Sequence, residues 1–346
     1  MTALGKKGEL SSVGPLFMVG IPGAGVDREA RELVRELQVG GVILFARNLE
    51  DPEQVWELTR DLQQEARDAG GLPLLISVDQ EGGSVQRLKA PFSLIPAGRE
   101  LGESSTASQV EAWARTVGRE LALVGINMNL APVLDVARNP RCPLWDRSFG
   151  SDPEKVAALG EAAIRGYGQA KVLPVAKHFP GLGDTSVDSH QVLPTAQDPD
   201  PERTTDLLPF RQAAAAGVPA VMTAHLHVPA WDDRPATLSS VALTDWLRQR
   251  LGYQGVIITD DLEMGAIATK DPVPEAACQA LAAGADLLLV CSPGQVVWEA
   301  ARQLSRDQDL QRQAGEAKRR LEVLRQRLAW SDVTKDEVRA YFRKQK

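Results

Sequence analysis

Eight short apolar segments alternate with amphipathic helical patterns along the chain, and this alternation limits the fold more than any other feature. The segments cover Pro15–Ile21, Val42–Ala46, Leu74–Val78, Ile126–Val133, Val172–Ala176, Ala220–Ala224, Gly255–Thr259 and Asp286–Cys291. Strands that alternate with helices form parallel sheets whose faces are covered by those helices. Eight such units predict an α/β fold of the (β/α)8 TIM-type barrel class. An open doubly wound sheet is the alternative, but the turn after the first segment, IPGAGVDRE, lacks the GxGxxG pattern of dinucleotide-binding sheets.

The chain is long for one domain, but TIM-type barrels often exceed 200 residues. Its 346 residues contain no linker rich in Pro, Gly or Ser and no shift in composition. We therefore expect a single domain over residues 1–346, with the barrel at about 13–307 and C-terminal helices over 308–346.

The overall charge is acidic, which excludes several classes of partner. The formal net charge is −7, and the pI is about 5.3. Nucleic acids and anionic membranes are bound by basic surfaces, so we expect neither as a partner. No apolar segment reaches the ~20 residues of a membrane span or resembles a signal peptide. The three cysteines, Cys142, Cys278 and Cys291, show no CxxC spacing. These features predict a cytoplasmic protein with reduced cysteines.

The segment KHFPGLGDTSVDSH, residues 177–190, concentrates side chains that can carry out chemistry. It follows the fifth apolar segment and contains two of the four histidines in the chain. Pro180, Gly181 and Gly183 predict an irregular loop, and loops at strand ends carry function more often than cores do. Within this loop, a hydrogen bond from His190 to Asp188 would orient the imidazole and favour its protonated form. His190 is therefore a candidate general acid.

Polar side chains also follow the other predicted strands. They are Asp79, Asp135, Arg147, Lys177, His178, His225, His227 and Asp260. Active sites of TIM-type barrels lie at the carboxyl ends of the strands. A carboxylate there, such as Asp260, can attack an anomeric carbon and form a covalent intermediate. Asp135 and His225 are equally compatible with structural roles.

Several segments together resemble glycoside hydrolase family 3, in particular its single-domain β-N-acetylhexosaminidase branch. They are VILFARN, SVDQEGGSVQR, NMNLAPVLDV, RSFGSD, KHFPGLGDTSVDSH, VMTAHL and GVIITDDLEMGAI, in this order. The resemblance covers roughly residues 15–292. It implies a cytoplasmic exo-enzyme that removes β-linked N-acetylglucosamine, typically from peptidoglycan fragments.

The resemblance also implies the role of individual residues. Asp260 matches the catalytic nucleophile of the family, and His190 with Asp188 matches the acid–base dyad of this branch. The residues that match those holding the sugar hydroxyls are Asp79, Arg87, Arg147, Lys177 and His178. No metal and no organic cofactor are implied. The expected partner is a small carbohydrate, and we expect a monomer.

Two positions depart from the family pattern, and three alternative activities remain open. Leu182 replaces the histidine of the usual PGHG segment, and Ser84 replaces the arginine that usually follows DQEGG. The alternatives within the family are a β-glucosidase and a β-N-acetylglucosaminide phosphorylase. A metal-dependent hydrolase is the third, because His225 and His227 form an HxH pair whose imidazoles would share one face of a strand.

Overall fold

Eight parallel strands form the central sheet of the protein. The computed structural model describes residues 10–198, 200–328 and 332–344. The strands are β1 (Phe17–Gly20), β2 (Gly41–Leu44), β3 (Leu75–Val78), β4 (Met128–Asn129), β5 (Leu173–Phe179), β6 (Ala220–Thr223), β7 (Val256–Ile258) and β8 (Leu288–Val290). Each strand pairs with its neighbours in chain order, and β8 pairs with β1. A parallel bridge between Ile258 and Leu287 joins β7 to the start of β8, which closes the ring. The predicted TIM-type barrel is confirmed.

Helices surround the barrel on its outside. They are α1 (Arg28–Glu32, continued by wider turns over Leu33–Leu37), α2 (Pro52–Asp68), α3 (Gly98–Ser104), α4 (Ala107–Leu123), α5 (Pro153–Gln169), α6 (Thr204–Ala215), α7 (Val241–Arg250, also with wide turns), α8 (Gly265–Ala268), α9 (Val273–Ala283), α10 (Gln295–Arg306), α11 (Gln311–Arg325) and α12 (Lys335–Arg343). Short 3-10 turns cover Gly14–Leu16, Ala46–Asn48 and Ala236–Leu238. None of the described helices is both long enough and apolar enough to cross a membrane.

The helix starts follow from capping residues in the sequence. The Asp51 side chain accepts hydrogen bonds from the N–H groups of Glu53 and Gln54, and Pro52 occupies the first helical position. Asp152 and Pro153 begin α5 in the same way. Because each helix returns the chain to the same end of the barrel, the carboxyl ends of all eight strands meet at one rim.

Two strands differ from their predicted lengths at this rim. The fourth was expected over Ile126–Val133, but the continuous strand covers only Met128 and Asn129, and Val133 forms an isolated bridge with Lys177. Pro132, which lies between them, has no N–H to donate to a ladder. The fifth extends beyond Ala176 to Phe179, so Lys177 and His178 belong to the strand itself. A short antiparallel hairpin, Gln80–Gly82 with Val85–Gln86, follows β3.

Helix α11 contacts the opposite end of the barrel. Arg325 is buried and donates hydrogen bonds to the carbonyls of Pro73 and Gly40, at 3.0 Å each. These carbonyls lie where β3 and β2 begin. The C-terminal extension therefore supports the barrel at the end away from the rim.

Candidate active site

A cavity of about 340 Å³ opens at the carboxyl ends of the strands. Its lining includes every residue that the sequence assigned to catalysis or sugar binding: Asp79, Arg87, Arg147, Lys177, His178, Asp188, His190 and Asp260. These residues come from β3, the segment after β4, β5 and its loop, and the end of β7. The fold therefore brings together side chains separated by up to 181 positions in the sequence, from 79 to 260.

The floor of the cavity is a buried ion-pair network around Lys177. Its Nζ lies 2.7 Å from Asp79 Oδ1 and 2.6 Å from Glu81 Oε1. Burial opposes the charged ammonium, but the two carboxylates raise the pKa of Lys177 above its ordinary value. Lys177 is therefore a permanent cation at neutral pH.

Glu81 extends this network to Arg147. Two parallel hydrogen bonds of 2.8 Å join the guanidinium to the carboxylate, in the bidentate geometry that fixes both planes. Burial alone would raise the pKa of Glu81, but Lys177 and Arg147 lower it to about 2. The sequence reasoning missed Glu81, although its place two residues after Asp79 in the DQEGG segment was the available signal.

Arg87 has donors that the described protein leaves unused. Its nearest carboxylate oxygen, Asp79 Oδ2, is 3.8 Å away, beyond hydrogen-bonding distance. The buried Nε makes no hydrogen bond within residues 10–198, 200–328 and 332–344. An unpaired buried donor is costly, so the geometry suits a ligand that supplies oxygen acceptors at this point.

His178 is oriented by the buried carboxylate of Asp135. Asp135 Oδ2 accepts hydrogen bonds from His178 Nδ1 at 2.8 Å and from its main-chain N–H at 3.1 Å. Asp135 Oδ1 accepts from the N–H of Leu182 at 2.7 Å. Because a carboxylate fixes the proton on Nδ1, Nε2 is the ring nitrogen left for the cavity. Asp135 thus has a structural role, one of the two possibilities that the sequence left open.

Asp260 lies at the end of β7 and is partly exposed to the cavity. Its Oδ1 accepts a 2.9 Å hydrogen bond from the N–H of Asp261. Burial would raise the pKa of Asp260, but the hydrogen bond from the N–H of Asp261 and the nearby ammonium of Lys177 help to hold it below its ordinary value. The carboxylate is therefore ionised at neutral pH, as a nucleophile must be.

Asp188 and His190 form the hydrogen-bonded pair that the sequence predicted. Asp188 Oδ1 lies 2.7 Å from His190 Nδ1 and accepts the main-chain N–H of the same residue at 2.9 Å. Burial opposes ionisation, but the N–H groups of His190 lower the pKa of Asp188. The His190 side chain is 70% exposed, so the pair forms the outer wall of the cavity.

His225 and His227 do not form the metal-binding pair that one alternative required. Strand β6 ends at Thr223, before both residues. His225 Nε2 donates to the carbonyl of Asp261, and Nδ1 lies 2.8 Å from the Thr237 hydroxyl. Burial lowers the pKa of His225, which keeps the ring neutral. The described part of the chain also contains no group of three or more His, Cys, Asp or Glu side chains placed to hold a metal.

The two departures from the family pattern occupy different environments. Leu182 lines the cavity and packs in a small apolar cluster that includes Leu144 and Leu226. Ser84 is exposed at the turn of the hairpin after β3. Leu182 therefore makes one wall of the cavity apolar, whereas Ser84 lies outside its lining.

Similar sequences identify the family of the chain. Residues 6–323 match the glycosyl hydrolase family 3 N terminal domain. A "Beta-hexosaminidase" of Alkalilimnicola ehrlichii is 39% identical over 303 residues, which are 84% of each chain. A "Beta-hexosaminidase" of Chromobacterium violaceum is 42% identical over 81% of this chain and 79% of that relative.

Two solved structures have the same fold. A glycoside hydrolase family 3 beta-N-acetylglucosaminidase from a Paenibacillus species superposes with a TM-score of 0.90 at 40% identity, over 100% of this chain and 69% of that chain. The Beta-N-acetylhexosaminidase of Beutenbergia cavernae superposes with a TM-score of 0.86 at 32% identity, over 92% of this chain and 98% of that chain. The protein described here therefore belongs to glycoside hydrolase family 3 and is a glycoside hydrolase.

Proposed function

We propose that the enzyme hydrolyses terminal β-linked N-acetylglucosamine with retention of anomeric configuration. The observation that carries this proposal is the placement of an ionised carboxylate, Asp260, in the same cavity as the Asp188–His190 pair. The relatives at 39% and 42% identity are beta-hexosaminidases by name, which supports the same activity.

The reaction would proceed in two displacements. Asp260 attacks the anomeric carbon and forms a glycosyl ester, while His190 donates its proton to the departing glycosidic oxygen. His190 then accepts a proton from water, the hydroxide oxygen attacks the anomeric carbon, and the ester bond to Asp260 breaks. Asp188 holds the ring through Nδ1, so Nε2 is the nitrogen that exchanges the proton.

The floor of the cavity would bind the hydroxyl groups of the sugar. The ammonium of Lys177 and the guanidinium groups of Arg87 and Arg147 supply donors, and Asp79 and Nε2 of His178 supply acceptors. The ion pairs of the cavity floor hold these groups in place before a ligand arrives, which limits the loss of side-chain freedom on binding.

The first experiment measures hydrolysis of an aryl β-N-acetylglucosaminide and of the matching aryl β-glucoside, each with and without phosphate. We expect faster cleavage of the acetamido sugar and no dependence on phosphate. Faster cleavage of the glucoside would refute the proposed specificity, and turnover that requires phosphate would identify a phosphorylase. Peptide mapping of the enzyme quenched during turnover should find the sugar on Asp260.

His190→Ala tests the proton-donor role. For a leaving group that needs protonation, such as phenol, kcat/KM should fall on the order of 10²- to 10⁴-fold. A 2,4-dinitrophenyl leaving group needs little protonation, so its kcat/KM should fall far less. His227→Ala, which changes a histidine outside the cavity lining, is the control. Equal losses on both substrates would contradict the assignment of His190.

We further propose that the natural substrates are peptidoglycan fragments and that the enzyme acts in the cytoplasm. The sequence resemblance supports the first point, and the three free cysteines are those of a protein in a reducing compartment. Comparing kcat/KM for a muropeptide and for N,N′-diacetylchitobiose tests the substrate, and cell fractionation tests the location. A clear preference for the chitin disaccharide would argue against peptidoglycan.

A further inference from the structure

The segment that carries Asp188 and His190 contacts α8 through its main chain. We define the acid–base loop as residues 184–198. The N–H of Gly265 donates to the carbonyl of His190 at 3.2 Å, and the N–H of Ala266 donates to the carbonyl of Ser189 at 3.1 Å. The tip of the loop is therefore held by the first two residues of α8.

Helix α8 is itself fixed to the strand end that carries Asp260. In the segment between Asp260 and α8, the N–H of Leu262 donates to the carbonyl of Leu289 at 3.0 Å, and Asp261 Oδ1 accepts from the N–H of Cys291 at 3.2 Å. Both partners belong to β8 or directly follow it. Only four residues lie between Asp260 and Gly265, so a short, hydrogen-bonded path connects the two catalytic groups.

Gly265 lets the loop approach this closely because it has no Cβ. A Cβ at this position would lie 2.7 Å from the carbonyl oxygen of His190 and 2.8 Å from that of Gln191. Both distances are shorter than real Cβ contacts, and both partners are main-chain atoms that cannot rotate away. Any larger residue at position 265 must displace the tip of the loop or α8.

The base of the loop is held independently of Gly265. Asp184 Oδ2 accepts hydrogen bonds from the N–H groups of Gln197 and Asp198, at 3.0 and 2.8 Å. Arg138 pairs with Asp198 at 3.0 Å and with Asp206 at 2.9 Å. These contacts anchor both ends of the loop, so displacement at Gly265 would be confined to the tip, where His190 lies.

We propose that Gly265 is a positioning residue, whose lack of a side chain sets the position of His190 relative to Asp260. This inference rests on the proposed function, in which His190 protonates the leaving group. The loop atoms nearest to a Cβ at position 265 all belong to the main chain, and Gly265 does not line the cavity. A change there should therefore affect proton donation without removing any group that contacts the sugar.

Gly265→Ala is the test, assayed on two substrates of the same sugar. For phenyl β-N-acetylglucosaminide, we expect kcat/KM to fall about 10- to 100-fold, because a misplacement near 1 Å has effects of this size. For the 2,4-dinitrophenyl glycoside, kcat/KM should stay within about 3-fold of the wild-type value, since departure of that group needs little protonation. The second substrate also reports that the cavity and Asp260 remain intact.

The matched control is Gly168→Ala in α5, where an added Cβ would meet nothing within 4 Å. This variant should have the wild-type kcat/KM on both substrates. Thermal unfolding of all variants fixes an assay temperature at which each is folded. Equal losses on both substrates, or no loss on the phenyl glycoside, would overturn the positioning role. A wild-type enzyme inactive on both would refute the proposed function itself, and the positioning role with it.

Discussion

Glu81 is the residue on which the floor of the cavity depends most. Its side chain is only 5% exposed and pairs with both Lys177 and Arg147. Its pKa of about 2, against an ordinary value of 4.5, corresponds to about 3 kcal/mol of stabilisation when the group is ionised. Removing Glu81 would leave Arg147 without its ion-pair partner and Lys177 with Asp79 alone, which costs a similar amount.

Glu81→Gln should therefore lower the free energy of unfolding by about 3 kcal/mol at neutral pH. Because the folded-state pKa is depressed, the stabilisation is present above pH 4.5 and is lost as the pH falls from there towards about 2. Urea unfolding across this range should show the difference between wild type and variant shrinking with falling pH. Glu103→Gln, at an exposed position, is the control. If the difference in unfolding free energy between wild type and Glu81→Gln stayed constant down to the lowest pH, Glu81 would not stabilise the fold as an ionised carboxylate.

At the scale of helices and strands, the sequence predicted the barrel well because its strands are buried on both faces. Such strands appear as continuous apolar runs, and residues such as Asp51 and Pro52 mark helix starts. The elements that it missed are short or polar: α3, α8 and the hairpin after β3. Helix α12 lies within the predicted C-terminal helices, and the capping box formed by Thr334 and Glu337 marks its start.

The candidate site was predicted as a set of residues, but of its internal contacts only the Asp188–His190 pair was predicted. Strand ends pointed to Asp79, Lys177 and Asp260, because parallel strands bring their carboxyl ends to one rim. The bidentate pair between Glu81 and Arg147 joins positions 66 residues apart. No local pattern encodes which carboxylate turns towards which cation, so this contact became visible only in the structure.

Helix α11 provides a test of how the extension supports the barrel. Arg325→Ala would remove two buried hydrogen bonds donated by a charged group, to the carbonyl of Pro73 and to that of Gly40, which keeps the N–H of Leu75 as a donor. We therefore expect a loss of about 3 kcal/mol in the free energy of unfolding. Arg312→Ala, at an exposed position of the same helix, should change it by less than about 0.5 kcal/mol. Denaturant midpoints measure both, and kcat at temperatures where both variants are folded should equal that of the wild type. Equal denaturant midpoints for the Arg325→Ala and Arg312→Ala variants would show that Arg325 does not support the barrel.

For the whole molecule, we predict that the barrel and its C-terminal helices unfold together as one domain. One apolar core extends from Leu10 to Phe342, and Arg339 of α12 forms a bidentate pair with Glu53 of α2, at 2.9 and 2.7 Å. Calorimetry should give one transition with equal calorimetric and van't Hoff enthalpies. Two separate transitions would show that the C-terminal helices form an independent unit.

The four histidines of the chain differ sharply in their contact with solvent. His178 and His225 are 5% and 0% exposed, and His227 is half-buried, whereas the side chain of His190 is 70% exposed. An acylating reagent that attacks neutral imidazoles would therefore reach His190 first. Acylation would disable the proton donor while the buried ion pairs around Lys177 stayed intact. The exposed dyad thus offers a handle for covalent inhibitors that need not compete for the sugar-binding floor.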